Sequence, residues 1–192
     1  EQKLTVMSFN AWHDWTKVEN GFEKAETAIR QSGVDLIGLQ ESSPATAARM
    51  AEQLGWHHAP KGTGSVQIIS RHKIVESFTP EGVDTSRFVG ARIQLTEQPL
   101  REIVFISLHL DYVHYGPYAA FQTGATPTSV LKENARSKRS EQITAMLGGM
   151  KPLLENSNST PVILTGDFNV PSHLDWTTKN SASHGNIGAV RS

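Results

Sequence analysis

Residues 4–9, Leu-Thr-Val-Met-Ser-Phe, largely alternate between apolar and polar positions before reaching Asn10, a period of two that predicts a β-strand. Residues 11–20 are polar and aromatic and read as a loop. Phe22, Ala25 and Ile29 then recur at helical spacing up to Gly33, which ends the helix. Val34 to Leu39 is a mostly continuous apolar run of strand length that stops at Gln40-Glu41. Pro44 to Leu54 is alanine-rich and opens with a proline, which predicts a second helix. A strand, a helix and a second strand in this order mark an α/β unit.

The pattern then changes. Residues 66–71, 87–95 and 102–110 read as successive strands with short polar connections, expected to pair antiparallel. Residues 111–129, rich in Tyr, Gly, Pro and Thr, read as a long loop. Residues 130–147 have helical spacing and are expected to end at Gly148-Gly149. Val162 to Thr165 is a short strand running into Gly166-Asp167-Phe168-Asn169, after which no element is legible. The chain has no internal repeat.

Composition adds bounds. The 192 residues have 38% in the apolar set, enough to bury a core. Net charge is 18 − 19 = −1, which excludes a protein held to nucleic acid by net charge alone but leaves room for a local patch. No apolar run approaches the roughly 18 residues of a membrane span. The absence of cysteine excludes disulfides, thiolate catalysis and thiolate-ligated metal. Lys132, Arg136, Lys138 and Arg139 against Glu133 form either a phosphate-backbone contact or a solvated helix face, the second being preferred. His57-His58 reads as a surface turn rather than a metal pair, and Trp12, Trp15 and Trp176 as packing residues.

Four segments share one geometry. Ser8-Phe9-Asn10, Leu39-Gln40-Glu41, Leu108-His109-Leu110-Asp111 and Gly166-Asp167-Phe168-Asn169 each end an apolar strand with a group that can bind metal or phosphate. Strand ends of α/β sheets are where loops diverge and leave a crevice. Any one of the four reads as a turn cap. Together they supply carboxylates, amides and an imidazole, a set suited to phosphate and to Mg²⁺, which takes one or two carboxylates and keeps several waters.

SFN, LQES, SLHLD and GDFN in this order resemble the endonuclease/exonuclease/phosphatase superfamily, the group of DNase I, the AP endonucleases, the sphingomyelinases and the inositol-polyphosphate phosphatases. Ser70-Arg71-His72-Lys73-Ile74 resembles a further strand of it, and the resemblance runs from about residue 4 to 176, leaving 177–192 as a tail. It implies a four-layer α/β sandwich, two mixed β-sheets flanked by helices. It also implies roles: Glu41 as chief metal ligand with Asn10 beside the same ion, His109 hydrogen-bonding a phosphoryl oxygen, Asp167 orienting or deprotonating the attacking water, and Asn169 contacting the phosphate. Arg71 and Tyr112 are weaker phosphate-binding candidates, and Tyr115 and Tyr118 candidate groove residues. The implied cofactor is Mg²⁺, with Mn²⁺ or Ca²⁺ as alternatives.

The family's C-terminal Ser-Asp-His segment has no match in this chain. The expectation is therefore a single incomplete domain over residues 1–192, its C-terminal strands missing and supplied by a separate or cleaved chain of the same fold. The function expected from the resemblance is an Mg²⁺-dependent phosphoesterase using an activated water, its phosphate-ester substrate open among nucleic acid, lipid head group and small metabolite. The alternative is a truncated or split fragment, inactive without its complement, or a non-catalytic binding module. The chain opens Glu1-Gln2-Lys3 rather than with Met, from which a secreted or periplasmic protein is expected.

Overall fold

The structure, a computed structural model, describes residues 3–172, 174–185 and 187. Two compact units divide the chain: Glu1–His109 with Thr144–Asp167, and Leu110–Ile143 with Phe168–Ser192. No helix among the described residues is long and apolar enough to cross a membrane.

The first unit is built on two four-stranded mixed sheets. One contains β1 (Val6–Asn10), β2 (Leu36–Gln40), β3 (His57–His58) and β4 (Gln67–Ser70), in the order β1-β2-β4-β3. The other contains β5 (Lys73–Phe78), β6 (Phe88–Glu97), β7 (Leu100–His109) and β8 (Val162–Asp167), in chain order. β1 and β2 run parallel, as do β7 and β8, and the remaining pairs are antiparallel.

Helices α1 (Gly21–Ser32) and α2 (Pro44–Leu54) cover the outer face of the first sheet. Both are bounded by local chemistry. Gly33 (φ 65°) and Gly55 (φ 70°) take the left-handed conformation that stops each helix. Ser43 caps the start of α2 by accepting from the Thr46 amide at 3.2 Å. Ala25, Ile29, Ala47 and Met50 of these helices pack on Ile37, Leu39 and Ile69. The opposite face carries Leu36 and Ile68, which pack on Val89, Ala91, Ile93, Ile103 and Phe105 of the second sheet. Alternate residues of β2 thus serve two cores, which is why its sequence is apolar without a break.

Toward the ends of the parallel pairs the inter-sheet face changes character. Leu36, Phe105 and Ile163 are apolar. Two residues on, Gly38 faces Ser107 and Thr165, and a methyl group on Gly38 would fall 2.8 Å from Ser107 Oγ and closer still to Thr165 Oγ1. Two residues further come Asn10, Gln40, His109 and Asp167, with Asn10 opposite Gln40 and His109 opposite Asp167 in the ladders. The buried Gln40 amide donates to Ser107 Oγ at 3.1 Å, and its carbonyl accepts from Ser8 Oγ at 3.3 Å. The polar layer is therefore bonded rather than merely buried.

The second unit holds α3 (Gly116–Ala120), α4 (Pro127–Asn134), the start of α5 (Arg139–Glu155) and a 3₁₀ helix, Thr178–His184. Ala120, Val130, Trp176 and Ile187 form its core. Thr126 and Ser129 close a reciprocal cap on α4, each side chain accepting from the other's amide at 3.1 and 2.9 Å.

Several sequence expectations are corrected. Residues 66–71 do not pair with 87–95: β4 joins β2 and β3, and it is β5, read as a connection, that pairs with β6. His57-His58 is a short strand rather than a turn, with His58 Nε2 2.8 Å from Gln67 Oε1. The loop over 111–129 contains α3 and the beginning of α4. The helix read over 130–147 is two, α4 and α5, and α5 passes through Gly148-Gly149 and Pro152 to Glu155. Gly149 is there for close packing: a Cβ at this position would run into the Glu81 backbone. The tail, read as featureless, contributes the 3₁₀ helix, and Trp176 just before it packs as expected. His173 lies outside the described residues.

Gly38→Ala should lower folding stability by about 1–3 kcal/mol, because the added methyl has no room between the sheets. A denaturant midpoint equal to that of the parent protein would contradict this packing.

Candidate active site

Asn10 ends β1, Glu41 follows β2, His109 ends β7 and Asp167 ends β8. The structure brings these four together. Asn10 Nδ2 donates to Glu41 Oε1 and to Asp167 Oδ2, each at 3.0 Å. His109 Nε2 lies 3.8 Å from the same Asp167 oxygen. One amide therefore bridges a carboxylate from each sheet, with an imidazole beside the second.

His109 is 4% exposed, and its Nδ1 has no hydrogen-bond partner among the described residues. Burial lowers its pKa from the ordinary 6.5; Asp167 opposes this, Arg87 adds to it, and Glu41 opposes it. The ring is thus neutral near pH 7, with one N–H to donate.

The loop after Asn10 shapes the mouth of the site. Trp12, His13, Asp14 and Trp15 have φ of 40, 58, 59 and 59°, and Glu41 has φ of 55°. Left-handed backbone costs about 1–2 kcal/mol for each such residue, so other contacts must hold the turn. The Trp12 amide donates to Asn10 Oδ1 at 2.8 Å and the His13 amide to Glu41 Oε2 at 3.2 Å. The Asp14 amide donates to the Glu41 carbonyl at 2.8 Å, and Asp14 Oδ1 accepts from the Ser43 amide at 2.6 Å. Trp15 is buried between Phe9 and Phe22, with both ring centroids 5.7 Å away. Trp12, by contrast, is 58% exposed and does not pack as expected. No glycine announces this turn, and the sequence reading missed it.

Other candidates lie elsewhere. β4 runs antiparallel to β2 with Ser70 opposite Leu36, so Arg71 sits beside the start of β2, whereas Glu41 follows its end. There Arg71 pairs with Asp35 at 3.4 Å and lies over the Trp56 ring. The structure does not bring it to the cluster. Asn169 (φ 49°) belongs to the second unit, where its Nδ2 donates to the Leu110 carbonyl at 3.0 Å. Tyr112, also in the second unit, is 61% exposed. Arg139, read as part of a solvated face, is buried instead and donates to the carbonyls of Asp111, Val113 and His114.

Glu41 and Asp167 present carboxylate oxygens at the cluster, with no thiolate, which fits a hard divalent cation that retains waters, while Asn10 turns its Nδ2 to both and its Oδ1 to the Trp12 amide. No group of three or more His, Cys, Asp or Glu placed to hold a metal occurs among the described residues. One carboxylate, Glu41, with the Asn10 amide is nevertheless within the ligand count such an ion accepts.

A model of the Endonuclease/Exonuclease/phosphatase family matches residues 7–187. The chain belongs to that family. An uncharacterized protein of Caenorhabditis elegans is 33% identical over 192 residues, a match covering 95% of this chain and 58% of that protein. The chain thus spans little more than half the length of this relative. Among solved structures, a family member from Bacteroides thetaiotaomicron superposes with a TM-score of 0.60 at 20% identity, covering 95% of this chain and 68% of that one. The mannosyl-6-phosphatase of the same organism gives 0.61 at 21%, covering 94% and 69%. D. rerio TDP2 in complex with a single-stranded DNA product gives 0.59 at 16%, covering 98% and 66%. These likenesses establish the α/β fold with two mixed sheets.

The lowered His109 pKa has a consequence for stability. As pH falls below 6.5 the unfolded chain binds this proton before the folded one does, so the contribution of His109 is present above that value and is lost on acidification toward the folded pKa. Between about pH 7 and about pH 5, His109→Asn should flatten the fall in stability measured by denaturant unfolding. Parallel pH profiles for the two proteins would contradict the assignment.

Proposed function

We propose that this chain carries the active site of a phosphoesterase that hydrolyses a phosphate ester with an activated water and depends on Mg²⁺. The observation that supports it best is the convergence of Asn10, Glu41, His109 and Asp167 at 3.0–3.8 Å. Glu41 and Asn10 would hold the ion, which when bound supplies positive charge against the phosphate oxygens.

The protein's own groups do the rest. Asp167, its Oδ2 fixed by Asn10, accepts a hydrogen bond from the water and takes its proton as the oxygen bonds to phosphorus and the P–O ester bond breaks, the alkoxide leaving and taking a proton from solvent. His109, neutral and held at a strand end, donates to a non-bridging oxygen, where charge grows in the transition state. Burial of the ring strengthens that bond by keeping bulk water from it. The substrate class follows from the chemistry only as far as a phosphate ester. The mannosyl-6-phosphatase and TDP2 superpositions mark sugar phosphates and DNA as the first classes to assay.

A second observation favours a complementing segment. Among the described residues β8 is the end strand of its sheet, and all six of its residues are only half-buried. An unpaired strand edge is a pairing site. We propose that a segment of the same fold adds to β8.

The 192-residue chain should hydrolyse bis-p-nitrophenyl phosphate with added Mg²⁺, and Glu41→Ala should lower the rate by about two orders of magnitude or more. Equal rates for the two proteins would contradict the proposal. A rise in this turnover when a C-terminal segment is supplied would support the β8 proposal, and an unchanged rate would contradict it.

A further inference from the structure

The second unit contains a cavity of about 580 Å³ that none of Asn10, Glu41, His109 and Asp167 lines. Its size falls within the range of small-molecule sites. Tyr115 and Tyr118 line it, with ring centroids 5.1 Å apart and planes at 83°, so that two aromatic surfaces meet at a right-angled corner. Tyr118 is 74% exposed, and Tyr112, on the same lining, is also largely exposed. Aromatic rings left in water beside a cavity mark a binding face.

The walls are held in place. Arg139 donates to the carbonyls of Asp111 at 2.8 Å, Val113 at 3.2 Å and His114 at 3.0 Å, and to Asn134 Oδ1 at 2.7 Å. The stretch carrying Tyr112 and His114 is therefore ordered before any ligand arrives, which lowers the entropy cost of binding.

The polar lining selects the ligand. Glu133 accepts from His114 Nδ1 and Arg136 Nη1, each at 2.8 Å, and these bonds, the His114 one first, hold its carboxyl below the ordinary range. It is a carboxylate at neutral pH. No Lys or Arg lines the cavity among the described residues; Gln122, Thr123 and Ser129 supply amide and hydroxyl groups. With Glu133 paired to Arg136 and no Lys or Arg on the lining, the cavity has no surplus cation to draw in a phosphate or nucleotide. It favours a neutral molecule rich in hydroxyl donors, and the ring corner favours one with a flat apolar face. A pyranose has both.

We propose that this cavity binds a neutral pyranose, one C–H face stacked on Tyr118 and its hydroxyl edge toward Glu133 and Gln122. The binding needs neither metal nor turnover, so it stands or falls independently of the phosphoesterase reading.

The test is a metal-free titration of the full chain with methyl α-D-mannopyranoside, methyl β-D-glucopyranoside and, as a planar-ring comparison, adenosine, followed by ligand-observed NMR. At least one glycoside should saturate with a Kd of about 1–10 mM, and Tyr118→Ala should weaken it about tenfold or more. Tyr118→Trp, which keeps an aromatic face, should bind within about threefold of the parent protein. Tyr118 is too exposed for either variant to threaten the fold. No saturation by either glycoside up to about 100 mM, saturation by adenosine alone, an unchanged Kd in Tyr118→Ala, or a Tyr118→Trp that binds no better than Tyr118→Ala would each overturn the proposal.

Discussion

The two parallel strand pairs, β1 with β2 and β7 with β8, can carry one site only because their facing side chains are small two residues before the strands end. Ser8, Gly38, Ser107 and Thr165 occupy that layer, and Gly38 has no room even for a methyl group. Larger residues there would spread the sheets by the width of a side chain, and the Asn10 amide would no longer reach the Asp167 carboxylate at 3.0 Å. Below this layer the facing residues are Leu36, Phe105 and Ile163. The inter-sheet face thus grades from hydrocarbon, through short bonded polar groups, to the ionisable cluster, in steps of two residues. Parallel register makes the grading possible: a slip by one residue would turn every one of these groups to the opposite face.

A second constraint is the strained turn over residues 12–15. Left-handed backbone at four successive non-glycine residues is unfavourable by several kcal/mol in sum, on the order of 1–2 each. The turn persists because its amides find oxygens on Asn10 and Glu41, and because Trp15 is fixed in the core between two phenylalanines. The same bonds fix the orientation of Asn10 and Glu41. Loop and cluster stabilise one another, and the orientation of Asn10 and Glu41 is set by the fold itself.

Much of this was legible in the sequence. β1, β2, β6, β7 and β8, the helices α1 and α2, and the polar residues that end four of the strands all follow from periodicity and punctuation. The motif order then pointed to the family to which the chain belongs. What escaped has identifiable physical causes. β5, beginning at Lys73, was missed because three of its six residues are exposed and the other three only half-buried, and an edge strand leaves little alternation to read. The pairing of β4 with β2 is a long-range choice that short-range spacing does not encode. Gly148 and Gly149 read as a helix end, yet Gly149 is a packing residue against Glu81. Arg71 has the residue type for a phosphate contact, but antiparallel register sets it at the far end of its sheet. Arg139 resembled a surface cation because its partners are backbone carbonyls, which leave no trace in a sequence.

The central claim is that Asn10 and Asp167, 157 residues apart in the chain, are bonded across the two sheets. A double-mutant cycle on folding stability with Asn10→Ala, Asp167→Ala and the double variant measures that bond directly. The structure predicts a coupling energy of about 0.5–3 kcal/mol. Additive single effects, with no coupling beyond measurement error, would contradict it.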